Sequence, residues 1–323
     1  MKSASFPPLP VAAEAGAIIR SSILAAIGNT PLVELKSVTR GLPPGVRVLA
    51  KHEGFNPGGS VKDGAALQMV RESMADGRFA AGKTLLDSTS GNTGIAYAMI
   101  GAVLKFPVTI CMPSNVSSEP KQVLAAFGAN VIYTDPMEGS DGAILKSREL
   151  LHDSPDLYFK PDQYNNPDNP LAHTLGTARE IHAQTGGAVT HFVATIGTGG
   201  TVMGTTRGLR ELNPNIRCYA AEPADPFHGI EGLKHMASSI VPGIYDEGYL
   251  DGKIGVETED AYRMTRRLAK EEGILCGQSS GAAAVAALEI ARGLAEGVVV
   301  CVFPDRGDKY LTTRVWEEDD ISP

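Results

Sequence analysis

Short apolar runs alternate along this chain with longer stretches whose apolar residues recur at helical spacing, at intervals of about 25 to 30 residues. The runs predict strands at 47–51, 84–88, 108–112, 130–134, 191–196, 216–221 and 298–303, most of them followed by a helix. That alternation is the mark of βαβ units and a parallel sheet, so the fold class is α/β. A helix over 120–127 stops at Gly128. Another over 258–272 carries Tyr262, Thr265, Leu268 and Ala269 at helical spacing and stops at Gly273. Further helices follow at 202–212 and, rich in alanine, at 281–295. No internal repeat or low-complexity segment interrupts the pattern. Two stretches do. Residues 153–170 are dense in Pro, Asp and Asn and suit a crossing between domains. Residues 222–254 are dense in Gly, Pro and Asp, as either an active-site wall or a surface loop would be.

A length of 323 residues suggests two domains or one large one. The formal net charge of −8 argues against a nucleic-acid or anionic-membrane binder. No apolar run is long enough to span a bilayer. The first 17 residues hold three prolines and Glu14, a poor secretory signal that predicts a loose arm. Cys111, Cys218, Cys276 and Cys301 are far apart in apolar contexts, which predicts buried, reduced thiols and a cytoplasmic location. Seven histidines are scattered without ligand spacing, so no metal site is expected.

The chemistry concentrates in four turns. Asn56-Pro57-Gly58-Gly59-Ser60-Val61-Lys62-Asp63 runs directly into a helix-compatible stretch. A lysine at a helix start meets the positive end of the dipole, and burial lowers its proton affinity further, leaving an amine able to form an imine. Gly197-Thr198-Gly199-Gly200-Thr201 lies between a strand and a helix, where successive N–H groups form an anion nest. Its spacing is not Gly-x-Gly-x-x-Gly, and only Glu222 could serve as a later ribose-binding acid, so a single phosphate suits it better than a dinucleotide. Thr89-Ser90-Gly91-Asn92-Thr93 gathers more polar residues than one helix cap needs and can wrap a carboxylate. Ser279 and Ser280 precede the alanine-rich helix, and Asp305, Arg306 and Asp308 follow the last strand. One activated lysine with a phosphate cradle is the requirement of a pyridoxal-phosphate enzyme.

From Ile27-Gly28-Asn29-Thr30-Pro31-Leu32 to Lys309-Tyr310-Leu311-Thr312, these motifs occur in the order found in the cysteine synthase family, which the chain resembles. The segments 163–170 and 305–311 look like its B-type, O-acetylserine sulfhydrylase B. The resemblance implies a fold type II architecture, two open twisted, mainly parallel sheets flanked by helices. It implies a smaller domain over 52–159 and a larger, cofactor-binding domain over 18–51 and 160–323. Lys62 would carry pyridoxal 5'-phosphate, Gly197, Thr198, Gly199, Gly200 and Thr201 its phosphate, Asn92 its ring hydroxyl, and Ser279 its pyridine nitrogen. Thr89, Ser90, Gly91, Thr93 and Gln163 would grip the substrate carboxylate. The reaction implied is β-replacement of O-acetyl-L-serine by sulfide, or by thiosulfate with polar help from 305–309, in a homodimer. A cystathionine β-synthase-like or O-phosphoserine-using enzyme and a serine or threonine deaminase share the lysine and the phosphate loop. Gly64 stands where the family usually has arginine.

Overall fold

The computed structural model describes residues 20–89 and 91–317. The predicted N-terminal arm and Ser90 lie outside the described residues. All seven predicted strands form, with ends shifted by at most two residues. The strands among the described residues are β1 (Leu32–Glu34), β2 (Gly45–His52), β3 (Thr84–Ser88), β4 (Val108–Pro113), β5 (Asn130–Thr134), β6 (Tyr158–Phe159), β7 (His191–Thr195), β8 (Arg217–Pro223), β9 (Gly252–Val256) and β10 (Glu296–Phe303). Those not predicted, β1, β6 and β9, are short or mixed in polarity, too little for a periodic signal. The helices are α1 (Lys62–Ala75), α2 (Asn92–Leu104), α3 (Ser118–Ala126), α4 (Gly139–Asp153), α5 (Asp168–Leu175), α6 (Thr177–Gln184), α7 (Gly200–Leu212), α8 (Thr258–Glu272) and α9 (Gln278–Arg292).

The strands build two sheets, one in the order β1-β2-β10-β7-β8-β9 and one in the order β5-β4-β3-β6. Among these described strands only β1 pairs antiparallel, with β2. β10 runs through the middle of the larger sheet, in register with β2 from Glu296 opposite Gly45 to Phe303 opposite His52. Its side chains alternate between faces, as a strand requires. Val299, Cys301 and Phe303 join the core beneath α8 and α9, while Val300 and Val302 join the one beneath α6 and α7. The alanines of α9 let it nest between the sheet and α8, and a Cβ on Gly281 would stand 2.1 Å from the Ala261 carbonyl. In the smaller sheet, Leu85 and Ile110 face α1 and α2, whereas Leu86 and Cys111 face α4. The crossing expected at 153–170 holds β6 and the turn into α5, where the chain passes from the smaller sheet to the larger. All four cysteines are free and buried, and burial pushes each thiol up.

Candidate active site

In parallel sheets the strand C-termini share an edge, and ligands bind there. The turns after β3, β7 and β10 therefore open on one cleft between the sheets, together with the starts of α1, α2, α7 and α9. Lys62, Thr89, Gly91, Asn92, Thr93, Gln163, Gly197, Thr198, Gly199, Thr201 and Ser279 all line it. Gly200 lies just behind, with no room for a side chain, since a Cβ there would stand 2.0 Å from Asn169 Oδ1. The irregular 222–254 segment sends Glu231, Gly232, Leu233 and Lys234 to the same cleft, so part of it is a wall of the site.

Lys62 opens α1. The loop before it is tied to the end of β10, with the Val61 N–H donating to the Pro304 carbonyl at 2.8 Å and Ser60 bridged to Asp305. The Gly58 N–H donates to Asp63 Oδ2 at 2.5 Å, and burial pushes that carboxyl up to about 7. Burial pulls the Lys62 amine below the usual lysine range, Asp305 opposes the shift, and Lys309 adds to it. Among the described residues this amine has no hydrogen-bond or ion-pair partner. A basic group in that state is poised to be neutral and nucleophilic. At Gly64, where the family usually has arginine, a Cβ would meet nothing within 4 Å, so the position has room for a side chain.

The 197–201 turn has the fit of a phosphate cradle. Gly199 takes the left-handed conformation (φ 85°), and a Cβ on Gly197 would come within 2.5 Å of the Gly232 carbonyl. Bare backbone thus faces the cleft, and the first-turn N–H groups of α7 have no intrahelical acceptor. Two residues in α5 hold the turn from behind. Asn169 Nδ2 donates to Thr198 Oγ1 at 3.1 Å and to the Gln163 carbonyl at 2.8 Å. His173 lies between Thr177 Oγ1, 2.9 Å from Nδ1, and Thr201 Oγ1, 3.3 Å from Nε2. Burial, assisted by the Lys62 charge, holds His173 down at about 3. An unfolded histidine titrates near ~6.5, so the unfolded chain binds the extra proton between those values. The stability held above pH ~6.5 is then lost as pH falls towards the native value. Chemical denaturation at pH 7 and at pH 4 should accordingly show a smaller acid loss for His173→Gln than for the wild type.

Thr89, Gly91 and Thr93, at the start of α2, line the same cleft. Thr89 Oγ1 accepts from the Gly91 N–H at 3.2 Å. Thr93 Oγ1 donates to Gln163 Oε1 at 2.8 Å, and Gln163 Nε2 donates to the Ser88 carbonyl at 2.8 Å. The Thr93 hydroxyl proton is thereby committed, so what it offers a carboxylate is its backbone N–H; Gln163 keeps one amide hydrogen. Asn92 Nδ2 donates to Asp305 Oδ2 at 2.7 Å, and Lys309 Nζ donates to Asn92 Oδ1 at 2.6 Å. Ser279, buried in the first turn of α9, closes the far side.

Arg306 and Asp308 pair with each other at 3.0 Å and do not line the cleft. Asp305 and Lys309 do line it, Asp305 at 1% exposure and Lys309 donating to the Gly58 and Gly59 carbonyls and to Asn92. The supports Asn169, His173 and Tyr310 had no role assigned, although Asn169 stands inside the conspicuous 163–170 run.

The chain matches the family of pyridoxal-phosphate dependent enzymes over residues 23–305. It is 55% identical to a cysteine synthase of Aquifex aeolicus, over 93% of this chain and 94% of that one. Against cysteine synthase B of Escherichia coli the identity is 40%, over 94% and 98% of the two chains. The fold superposes on a crystal structure of cysteine synthase from Entamoeba histolytica with a TM-score of 0.90 at 37% identity, covering 98% of this chain and 96% of that one. With Lys62 and the starts of α2 and α7 gathered in one cleft, the chain belongs to the cysteine synthase family of pyridoxal-phosphate-dependent, fold type II enzymes.

Proposed function

We propose that this protein is an O-acetylserine sulfhydrylase, converting O-acetyl-L-serine and sulfide to L-cysteine and acetate. The observation that carries the reading is the buried Lys62 amine, without a partner, in the same cleft as the N-termini of α2 and α7. Lys62 would bind the cofactor covalently, 197–201 its phosphate, Asn92 its ring hydroxyl and Ser279 its ring nitrogen. Bound there, pyridoxal phosphate supplies an electron sink for the pair left when Cα loses its proton. The start of α2, with Gln163, holds the substrate carboxylate and so fixes Cα beside Lys62. The Lys62 amine takes the Cα proton, and burial lowers its proton affinity, which favours the basic form. Acetate leaves Cβ with the bonding pair and needs no acid, so the site has only to admit sulfide to Cβ and return the proton to Cα.

Thiosulfate is the second donor we propose, from the B-type likeness. Lys234 is the cation that supports it, lining the cleft 3.6 Å from Asp141 and 5.4 Å from the centre of the Tyr164 ring. The two sheets and their separate cores support a smaller domain at 52–159 and a larger one formed by 18–51 with 160–323. Exposed Phe55, Leu275 and Leu311, around the segment that follows β10, support a homodimer. Four buried free thiols support a cytoplasmic location. The test supplies the holoprotein with O-acetyl-L-serine and either sulfide or thiosulfate, with L-serine and O-phosphoserine in parallel. Cysteine is expected from O-acetyl-L-serine and sulfide, and S-sulfocysteine with thiosulfate. No cysteine from any serine derivative refutes the main reading; cysteine without S-sulfocysteine refutes only the second donor.

A further inference from the structure

Asn92 is gripped from both ends by residues that follow β10. Its Nδ2 donates to Asp305 Oδ2, which also accepts from the Tyr310 hydroxyl at 2.5 Å. Its Oδ1 accepts from Lys309 Nζ at 2.6 Å. The same ammonium donates to the carbonyls of Gly59 at 3.1 Å and Gly58 at 3.3 Å, so its three hydrogens have three acceptors. Turning the Asn92 amide over would set Oδ1 against a buried carboxylate and an N–H against an ammonium. Both contacts repel at close range, the more so because Asp305 is buried. A primary amide has two N–H bonds, and Asp305 uses one of them. By hydrogen-bond geometry the other has no acceptor among the described residues, and Asn92 lines the cleft.

We infer that Asp305 and Lys309 are positioning residues that fix the Asn92 amide in the one orientation able to donate a hydrogen bond to the cofactor's ring oxygen. The inference rests on the proposed binding of pyridoxal phosphate and adds how its hydroxyl is recognised. Lys309 has a second effect, because Gly58 and Gly59 belong to the loop that carries Lys62. The amide and the lysine loop are therefore held by one ammonium, and Gly59 (φ 80°) presents its carbonyl from a left-handed conformation.

The test is calorimetric titration of the full-length apo-protein with pyridoxal 5'-phosphate and with its 3-deoxy analogue, which lacks the ring hydroxyl. The wild type should prefer the natural compound by about tenfold, the scale of one hydrogen bond to a charged acceptor. Asn92→Ala and Asp305→Ala should each erase that preference, and combining them should remove nothing more. Asp305→Asn, which keeps an acceptor for Asn92 and Tyr310, should restore most of it. Lys309→Met should also reduce the preference, and it carries the test if Asp305→Ala does not fold. An Asp305→Ala or Lys309→Met protein that weakens both ligands equally and keeps the preference overturns the inference, as does a wild type that binds both alike. A wild type that binds neither ligand refutes the cofactor reading itself and this inference with it.

Discussion

Lys62→Ala is expected to abolish cysteine formation from O-acetyl-L-serine while leaving the fold intact. Proton transfer by a positioned base contributes roughly 10²- to 10⁴-fold on its own, and the substitution removes the covalent anchor as well. The variant should still bind free pyridoxal phosphate, because the 197–201 cradle and Asn92 are untouched. It should unfold at nearly the wild-type denaturant concentration or a higher one, since a buried amine without a partner costs stability rather than supplying it. Steady-state assays with circular dichroism as the folding control read both outcomes. Retained turnover would mean that another lysine is the base. Lys234 and Lys309 are the other lysines lining the cleft, but Lys309 is saturated by three acceptors and Lys234 pairs with Asp141.

The second large effect is expected at Gly200. A methyl group there would stand 2.0 Å from Asn169 Oδ1 and 2.5 Å from Asn169 Cγ, so Asn169 must leave its bonds to Thr198 and the Gln163 carbonyl. Overpacking of this kind costs about 1–3 kcal/mol. The phosphate turn loses its support in the same step, and cofactor affinity should fall by tenfold or more, since ~1.4 kcal/mol is a factor of ten. Gly64→Ala provides the contrast. It adds the same methyl to a helix but meets nothing within 4 Å, so it should stabilise the protein by about 0.5–1 kcal/mol and leave cofactor affinity unchanged. Thermal unfolding and cofactor titration of the two variants separate helix propensity from the shape of the cradle. Equal effects at both positions would remove the steric basis for Gly200.

Much of this architecture is legible in the sequence because the central strands are apolar runs between turn residues. The 298–303 run, for example, lies within β10, the strand that both cores of the larger sheet share. β6, with two residues, and β1, with three, are too short to carry a period, and β9 alternates Gly with Lys, Ile and Val. The lysine loop and both anion turns are legible for a local reason: each combines a strand end, small residues and a helix start. The supports behind them are not. Asp305 meets Asn92 from 213 positions away, and Lys309 from 217, and no local pattern records such a pairing. His173 reads as one histidine among seven, and only its placement between Thr177 and Thr201 gives it a part in the cradle. The 305–309 segment is legible in part: its polarity marks it, and Asp305 and Lys309 line the cleft while Arg306 and Asp308 pair with each other outside it.

The most direct measurement of the central claim is borohydride reduction of the holoprotein followed by peptide mapping. Hydride fixes the bond between the cofactor aldehyde and its lysine as a stable secondary amine. The account predicts one phosphopyridoxyl label, on Lys62. A label on Lys234 or Lys309 instead would contradict it.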